Sequence, residues 1–149
     1  MTEKYDATNP HHREIRLGIE QGNGISNMVK VEEGHRGIKA AGFELQHAED
    51  LARRPDLIPW YFPIAGDFRH MGSVWDFFTV LRMTKAARGL VQKLLAVMEV
   101  VRLAPGGSAR TAASLAKGAD SLVAGAKEGI FTPMYLMIAK KPEESVSSS

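Results

Sequence analysis

The chain has 149 residues, 44% hydrophobic and 24% charged, which is the usage of a single globular domain and excludes collagen, low-complexity disorder and a multidomain protein. Nineteen Lys and Arg stand against 17 Asp and Glu, a net charge of +2 with the signs interspersed, so nucleic acid finds no basic stripe to bind. Cysteine is absent, which removes disulfides, thiol nucleophiles and Cys-ligated zinc and permits a reducing compartment.

Membrane and export signals are weak. No apolar run reaches the roughly 18 residues of a membrane span, and Met1 to Asp6 lack the cationic and apolar blocks of a signal peptide. A chain that is not secreted, and is either cytoplasmic or peripheral to a membrane, is expected.

In chain order, residues 1–26 open polar, turn at Asn9-Pro10, and set Ile15 and Ile19 four apart; this predicts a short helix closed by a Gly22-Asn23-Gly24 loop. A second helix is predicted over 27–41. Asn27 can cap it, Val31, His35 and Ile38 share a face, and Gly42 stands where a left-handed C-terminal residue belongs. Gly34 and Gly37 weaken it by about 1 kcal/mol each relative to Ala. Over Phe43 to Ala48, Phe43, Leu45 and His47 alternate with Glu44 and Gln46, a strand with one covered face. The stretch 53–69 holds Pro55, Pro59, Pro63 and Gly66, which argues against both helix and central strand, yet its Trp60, Tyr61, Phe62 and Phe68 need a surface to cover.

Beyond Gly72 the period is helical. Val74, Phe77, Phe78 and Leu81 share a face, which continues after a polar pause at Thr84-Lys85 through Ala87, Leu90, Val91, Leu94, Leu95, Met98 and Val101. Pro105-Gly106-Gly107 stops that helix, and Ser108 can cap the next. Its stripe of Ala112, Leu115, Ala116, Ala119, Leu122, Val123 and Ala126 is rich in small residues and admits a close neighbour, until Gly129 ends it. Residues 130–142 are a nearly unbroken apolar run bounded by proline, as expected of a strand covered on both faces, and 143–149 read as a disordered tail. Two strands alone do not make a stable sheet, so a partner chain or the rest of a larger protein is expected to complete this one.

Four stretches resemble a known family. Ile19-Glu20-Gln21-Gly22-Asn23-Gly24-Ile25, Ala41-Gly42-Phe43-Glu44, Ile58-Pro59-Trp60-Tyr61-Phe62-Pro63 and the run from Gly125 to Met134 are similar, in order and spacing, to the C-terminal portion of fungal sterol 24-C-methyltransferases, which are class I S-adenosylmethionine-dependent enzymes. The resemblance extends from about Lys4 to Pro142, and Met1 to Asp6 also resemble an internal family stretch, so the chain is expected to start in the middle of its parent. The resemblance implies an α+β fold for residues 1–142: a mostly helical insertion, 53–129, between two antiparallel strands that correspond to the last two strands of the class I methyltransferase sheet. Residues 1–26 then supply the helix and Gly-Asn-Gly loop, 27–48 a helix–strand unit, and 130–142 the final strand.

The function it implies lies in ergosterol-type sterol biosynthesis. A methyl group passes from S-adenosylmethionine to the side-chain double bond of a 24-desmethyl sterol, leaving a carbocation that undergoes a hydride shift and loses a proton. Such chemistry needs a dry pocket, aromatic faces and one carboxylate. The family's Gly-rich phosphate loop, acidic ribose ligand and N-terminal aromatic sterol motif have no counterpart among these residues. Gly22-Asn23-Gly24 lacks both the Gly-x-Gly-x-x-Gly spacing and a preceding strand. These residues alone are therefore expected neither to bind S-adenosylmethionine nor to methylate, and to need the missing N-terminal half or a second copy. Ser26 and Phe62 stand where the family usually has proline and tyrosine.

The candidate catalytic residue is Glu20, as a base or a cation-stabilising carboxylate, with a solvated helix-end glutamate as the plainer alternative. Candidate sterol contacts are Gly22, Asn23 and Gly24 in the loop, Trp60, Tyr61 and Phe62 between prolines, and Trp75 and Phe78 at helical spacing. Asn23 suits turn geometry better than a ligand, and Trp75 and Phe78 suit the core before a ligand. His11 and His12 are adjacent and diverge, while His35, His47 and His70 are isolated, so no metal site is expected. Asp67, Arg69 and Asp76 read as solvated charges. The competing function is a free-standing sterol- or lipid-binding or homodimerising module; a cofactor-independent enzyme ranks last. Trp60 to Phe62 and the helix around 87–101 can also touch a membrane, at the endoplasmic reticulum or a lipid droplet, although a helix that covers its own core is the simpler reading.

Overall fold

A computed structural model describes residues 1–54 and 58–142. Pro55 and the expected tail at 143–149 lie outside the described residues. The elements run α1 (Pro10–Asn23), α2 (Val31–Ala40), β1 (Glu44–Asp50), a 3-10 turn (Leu51–Arg53), α3 (Phe62–Ala65), a second 3-10 turn (Phe68–His70), α4 (Val74–Met83), α5 (Lys85–Val100), α6 (Ser108–Lys127) and β2 (Tyr135–Lys140). This is the expected α+β arrangement, with the helices α3 to α6 between two strands.

β1 and β2 pair antiparallel from Glu44↔Lys140 to Asp50↔Tyr135, with a register shift between Leu45 and His47 that leaves Gln46 as a bulge. The run around β2 was expected to be covered on both faces. Instead Ile138 is half exposed and most of β1 faces solvent, because among the described residues α2 is the helix packed on this sheet. α2 reaches the sheet at Gly34, where a Cβ would come within 2.9 Å of the Met137 methyl.

The core lies elsewhere, between α1 and α6. Met1, Tyr5, Ile15, Ile19 and Ile130 are buried together, with Met28, Leu122, Ala124 and Phe131 packed against them. The polar opening segment is thus part of the core, held by hydrogen bonds from the Thr2 amide to the Ile130 carbonyl at 2.9 Å and from the Thr2 hydroxyl to the Gly129 carbonyl at 2.6 Å. Proximity of the first and last segments could not be read from local periodicity.

Boundaries differ from expectation for local reasons. α1 continues through Gly22 and Asn23, and the turn begins only at Gly24, whose φ of 63° is left-handed. Asn27 does not cap α2; it sits at φ 59° in the loop, and Lys30 occupies the cap position. The proline-rich stretch does hold a short helix, α3, because Pro63 falls in its first turn, where no amide hydrogen is needed. Thr84 divides the expected long helix into α4 and α5: its backbone is extended at ψ 151° and its hydroxyl accepts from the Ala87 amide. Ser108 is the first residue of α6, with Gly107 at the cap.

Candidate functional site

Glu20 sits in the last turns of α1 with its side chain 13% exposed. Its Oε1 accepts from Arg16 Nε at 2.8 Å, one helical turn earlier, and from the Met28 amide at 2.7 Å. Burial pushes the carboxyl up, but these two hydrogen bonds and the Arg16 charge outweigh it and hold it below the ordinary carboxylate value. Glu20 is therefore ionised at neutral pH and clamps the 25–30 loop to α1. A carboxylate so held suits stabilisation of a nearby cation better than proton abstraction.

The Gly-Asn-Gly stretch is structural in this setting. A Cβ on Gly22 would lie 2.4 Å from Gly118 Cα, so this pair is where α1 crosses α6 at backbone contact. Asn23 donates its side-chain amide to the Ile19 carbonyl at 3.0 Å. The small-residue stripe expected of α6 is real, but α1 approaches along Gly118, Ser121 and Gly125, on another face from Ala112, Ala116 and Ala119.

Trp60 packs edge-on against Tyr61 and Phe131, with ring centroids 5.7 and 6.1 Å apart. Together with Pro59, Arg53, Ala126 and Thr132 it lines a cleft of about 200 Å³. Phe62 lies 6.0 Å from the His70 ring. Trp75 and Phe78, expected in the core, are 79% and 55% exposed on α4. Glu20 and the two aromatic segments thus have different neighbours and do not converge on one cavity. Asp67 and Arg69 bind each other at 2.7 Å, and the guanidinium, followed by the Arg69 amide, holds the Asp67 carboxyl far below its usual value. Asp76 accepts from the Gly72 amide at 2.9 Å. Among the described residues no group of three or more His, Asp or Glu is placed to hold a metal ion.

A groove not foreseen from the sequence runs between the end of α4, α5 and α6. It measures about 420 Å³, within the range of small-molecule sites, and is walled by Met83, Val91, Ala112, Leu115, Ala116 and Ala119. Arg82, Arg88 and Gln92 supply its polar edge. Arg88 is fixed by its bonds to Asp120 Oδ1 at 2.6 Å and the Ala116 carbonyl at 3.0 Å. The signal was present as alanines at 112, 116 and 119, but the same alanines predict a packed helix equally well.

Residues 78–143 match the family described as sterol methyltransferase C-terminal. The chain is 59% identical to the sterol 24-C-methyltransferase erg6 of Aspergillus fumigatus over 143 residues, 96% of this chain and 38% of that protein. It is 58% identical to erg-4 of Neurospora crassa and 56% identical to ERG6A of Gibberella zeae, each over 95% of this chain. The sequence therefore corresponds to the C-terminal part of a sterol 24-C-methyltransferase and spans less than two-fifths of the length of these relatives. No solved structure matches the chain.

Proposed function

We propose that these residues form the sterol-recognising part of a sterol 24-C-methyltransferase that acts only together with a cofactor-binding N-terminal portion. The observation that carries this reading is the identity of 59% over nearly the whole chain to a protein of which it covers 38%. The groove supports it, because its apolar walls and short polar edge suit a rigid ligand with a single hydroxyl.

S-adenosylmethionine supplies the methyl group in such an enzyme. The described residues do not fit it: Gly22 is closed off by the Gly118 backbone, and Gly24 leaves a helix rather than leading into one. This part's contribution is to bind and orient the sterol, to exclude water and to place charge. The groove takes the apolar body; Trp60, Tyr61, Phe62 and Glu20 lie outside it and act on the sterol only where the N-terminal portion completes the site around them.

The test combines this chain with the N-terminal portion of the Aspergillus fumigatus relative, S-adenosylmethionine and a 24-desmethyl sterol. Methyl transfer is expected from the mixture and from neither part alone. Leu115→Trp, which fills the groove, is expected to raise the sterol KM, and Glu20→Gln to lower turnover. Methylation by the chain alone, or none from a folded mixture, overturns the reading.

A further inference from the structure

The three polar residues on the wall of the groove, Arg82, Arg88 and Gln92, are not equally free to meet a ligand. Arg88 is committed to the protein. One of its terminal nitrogens donates to the Ala116 carbonyl at 3.0 Å and the other to Asp120 Oδ1 at 2.6 Å, while its Nε is sealed from solvent. A donor that water cannot reach is closed to a ligand oxygen as well. Arg82 is exposed in the last turn of α4, where its charge suits the helix C-terminus and keeps its hydration.

Gln92 is different. It is half-buried on α5, one turn beyond Arg88, and its carboxamide has no hydrogen-bond partner among the described residues. Arg88 is the neighbour a turn away that could have engaged it, but that guanidinium is turned to α6. Across the groove stand Ala112, Leu115, Ala116 and Ala119, whose side chains offer nothing polar.

An apolar ligand that enters displaces water from this carboxamide and must replace its bonds, because a polar group left unpaired in a dry groove weakens binding. A carboxamide carries an acceptor oxygen and an amino group that donates. A hydroxyl answers both, donating to Oε1 and accepting from Nε2. A ketone oxygen only accepts and leaves Oε1 unpaired, and a bare hydrocarbon ring satisfies neither atom.

We propose that Gln92 is the specificity-determining residue of the groove: it holds the ring hydroxyl of the sterol and ranks ligands in the order hydroxyl, ketone, deoxy. The proposal rests on the reading that the groove takes the sterol.

The test uses the mixture of this chain with the N-terminal portion of the Aspergillus fumigatus relative. Dissociation constants and KM are measured for a 24-desmethyl sterol, its 3-ketone and its 3-deoxy analogue. The hydroxy sterol is expected to be favoured over the deoxy analogue by about tenfold or more. Gln92→Leu is expected to erase most of that preference by weakening the hydroxy sterol, with the circular dichroism spectrum unchanged. Gln92→Glu, an acceptor of the same shape without N–H donors, is expected to keep the hydroxy sterol and reject the ketone, a reordering that a packing role would not produce. Arg82→Gln is expected to leave the ranking in place. Leu115→Trp is expected to weaken all three ligands alike. If Leu115→Trp weakens none of them, the sterol lies elsewhere, and the groove reading falls together with the proposal. If it weakens all three while Gln92→Leu leaves the ratio of hydroxy to deoxy unchanged, or if Arg82→Gln erases that ratio instead, the proposal alone is overturned.

Discussion

Two glycines of similar sequence context have opposite roles, and the difference is spatial. Gly118 meets Gly22 so closely that an added Cβ would lie 2.6 Å from Gly22 Cα, whereas Gly37 in α2 has nothing within 4 Å. Gly118→Ala forces two backbones apart and is expected to destabilise by about 3 kcal/mol. Gly37→Ala restricts only the unfolded chain and is expected to stabilise by about 0.5–1 kcal/mol. Urea unfolding of the two variants measures both. Glu20 gives a pH dependence at the same scale. Its carboxyl lies below the ordinary value in the folded chain, so the stabilisation it brings is complete above that ordinary value, about pH 4.3, and is lost as pH falls through the folded value. Glu20→Gln is expected to lower stability at neutral pH by about 1–3 kcal/mol through the lost charged hydrogen bonds, and to flatten the acid limb of the stability curve. A parallel acid limb in the variant counts against the clamp.

Among the elements, helix periodicity was legible and the joints were not. The apolar spacing from Val74 to Val101 predicts helix correctly, yet one hydroxyl at Thr84 and an extended ψ divide it. Thr84→Ala removes the cap of α5 and is expected to cost about 1 kcal/mol, seen as a lowered midpoint in thermal unfolding. The strands show the converse. Their positions and antiparallel pairing are as expected, but the expected burial of β2 does not hold in this chain, where, among the described residues, α2 is the helix packed on the pair. A two-stranded ribbon open to solvent is marginal. Amide exchange in β1 and β2 is therefore expected to be much faster than in α1 and α6, and to slow when the N-terminal portion of a relative is added. Equal protection of strands and helices without it would show that the ribbon is stable by itself.

For the whole molecule, the distribution of apolar surface is the informative property. Among the described residues six hydrophobic side chains are buried, while Trp75, Leu90, Val100 and Leu103 lie open. The hydrophobic period counted Trp75 and Leu90 with the core because periodicity registers that a face is apolar and not what lies against it. By itself the sequence determined the helical period, the two strand segments and, through four ordered motifs, the family, since each is written in residues near one another along the chain. The tertiary structure alone decided that Met1 and Tyr5 join the core, that Gly22 is a helix crossing, that Glu20 answers to Arg16 and Met28, and that a groove opens among α4, α5 and α6. Those outcomes depend on which distant surfaces meet, and the free energy of such contacts is set by shape and burial between segments rather than by any local pattern.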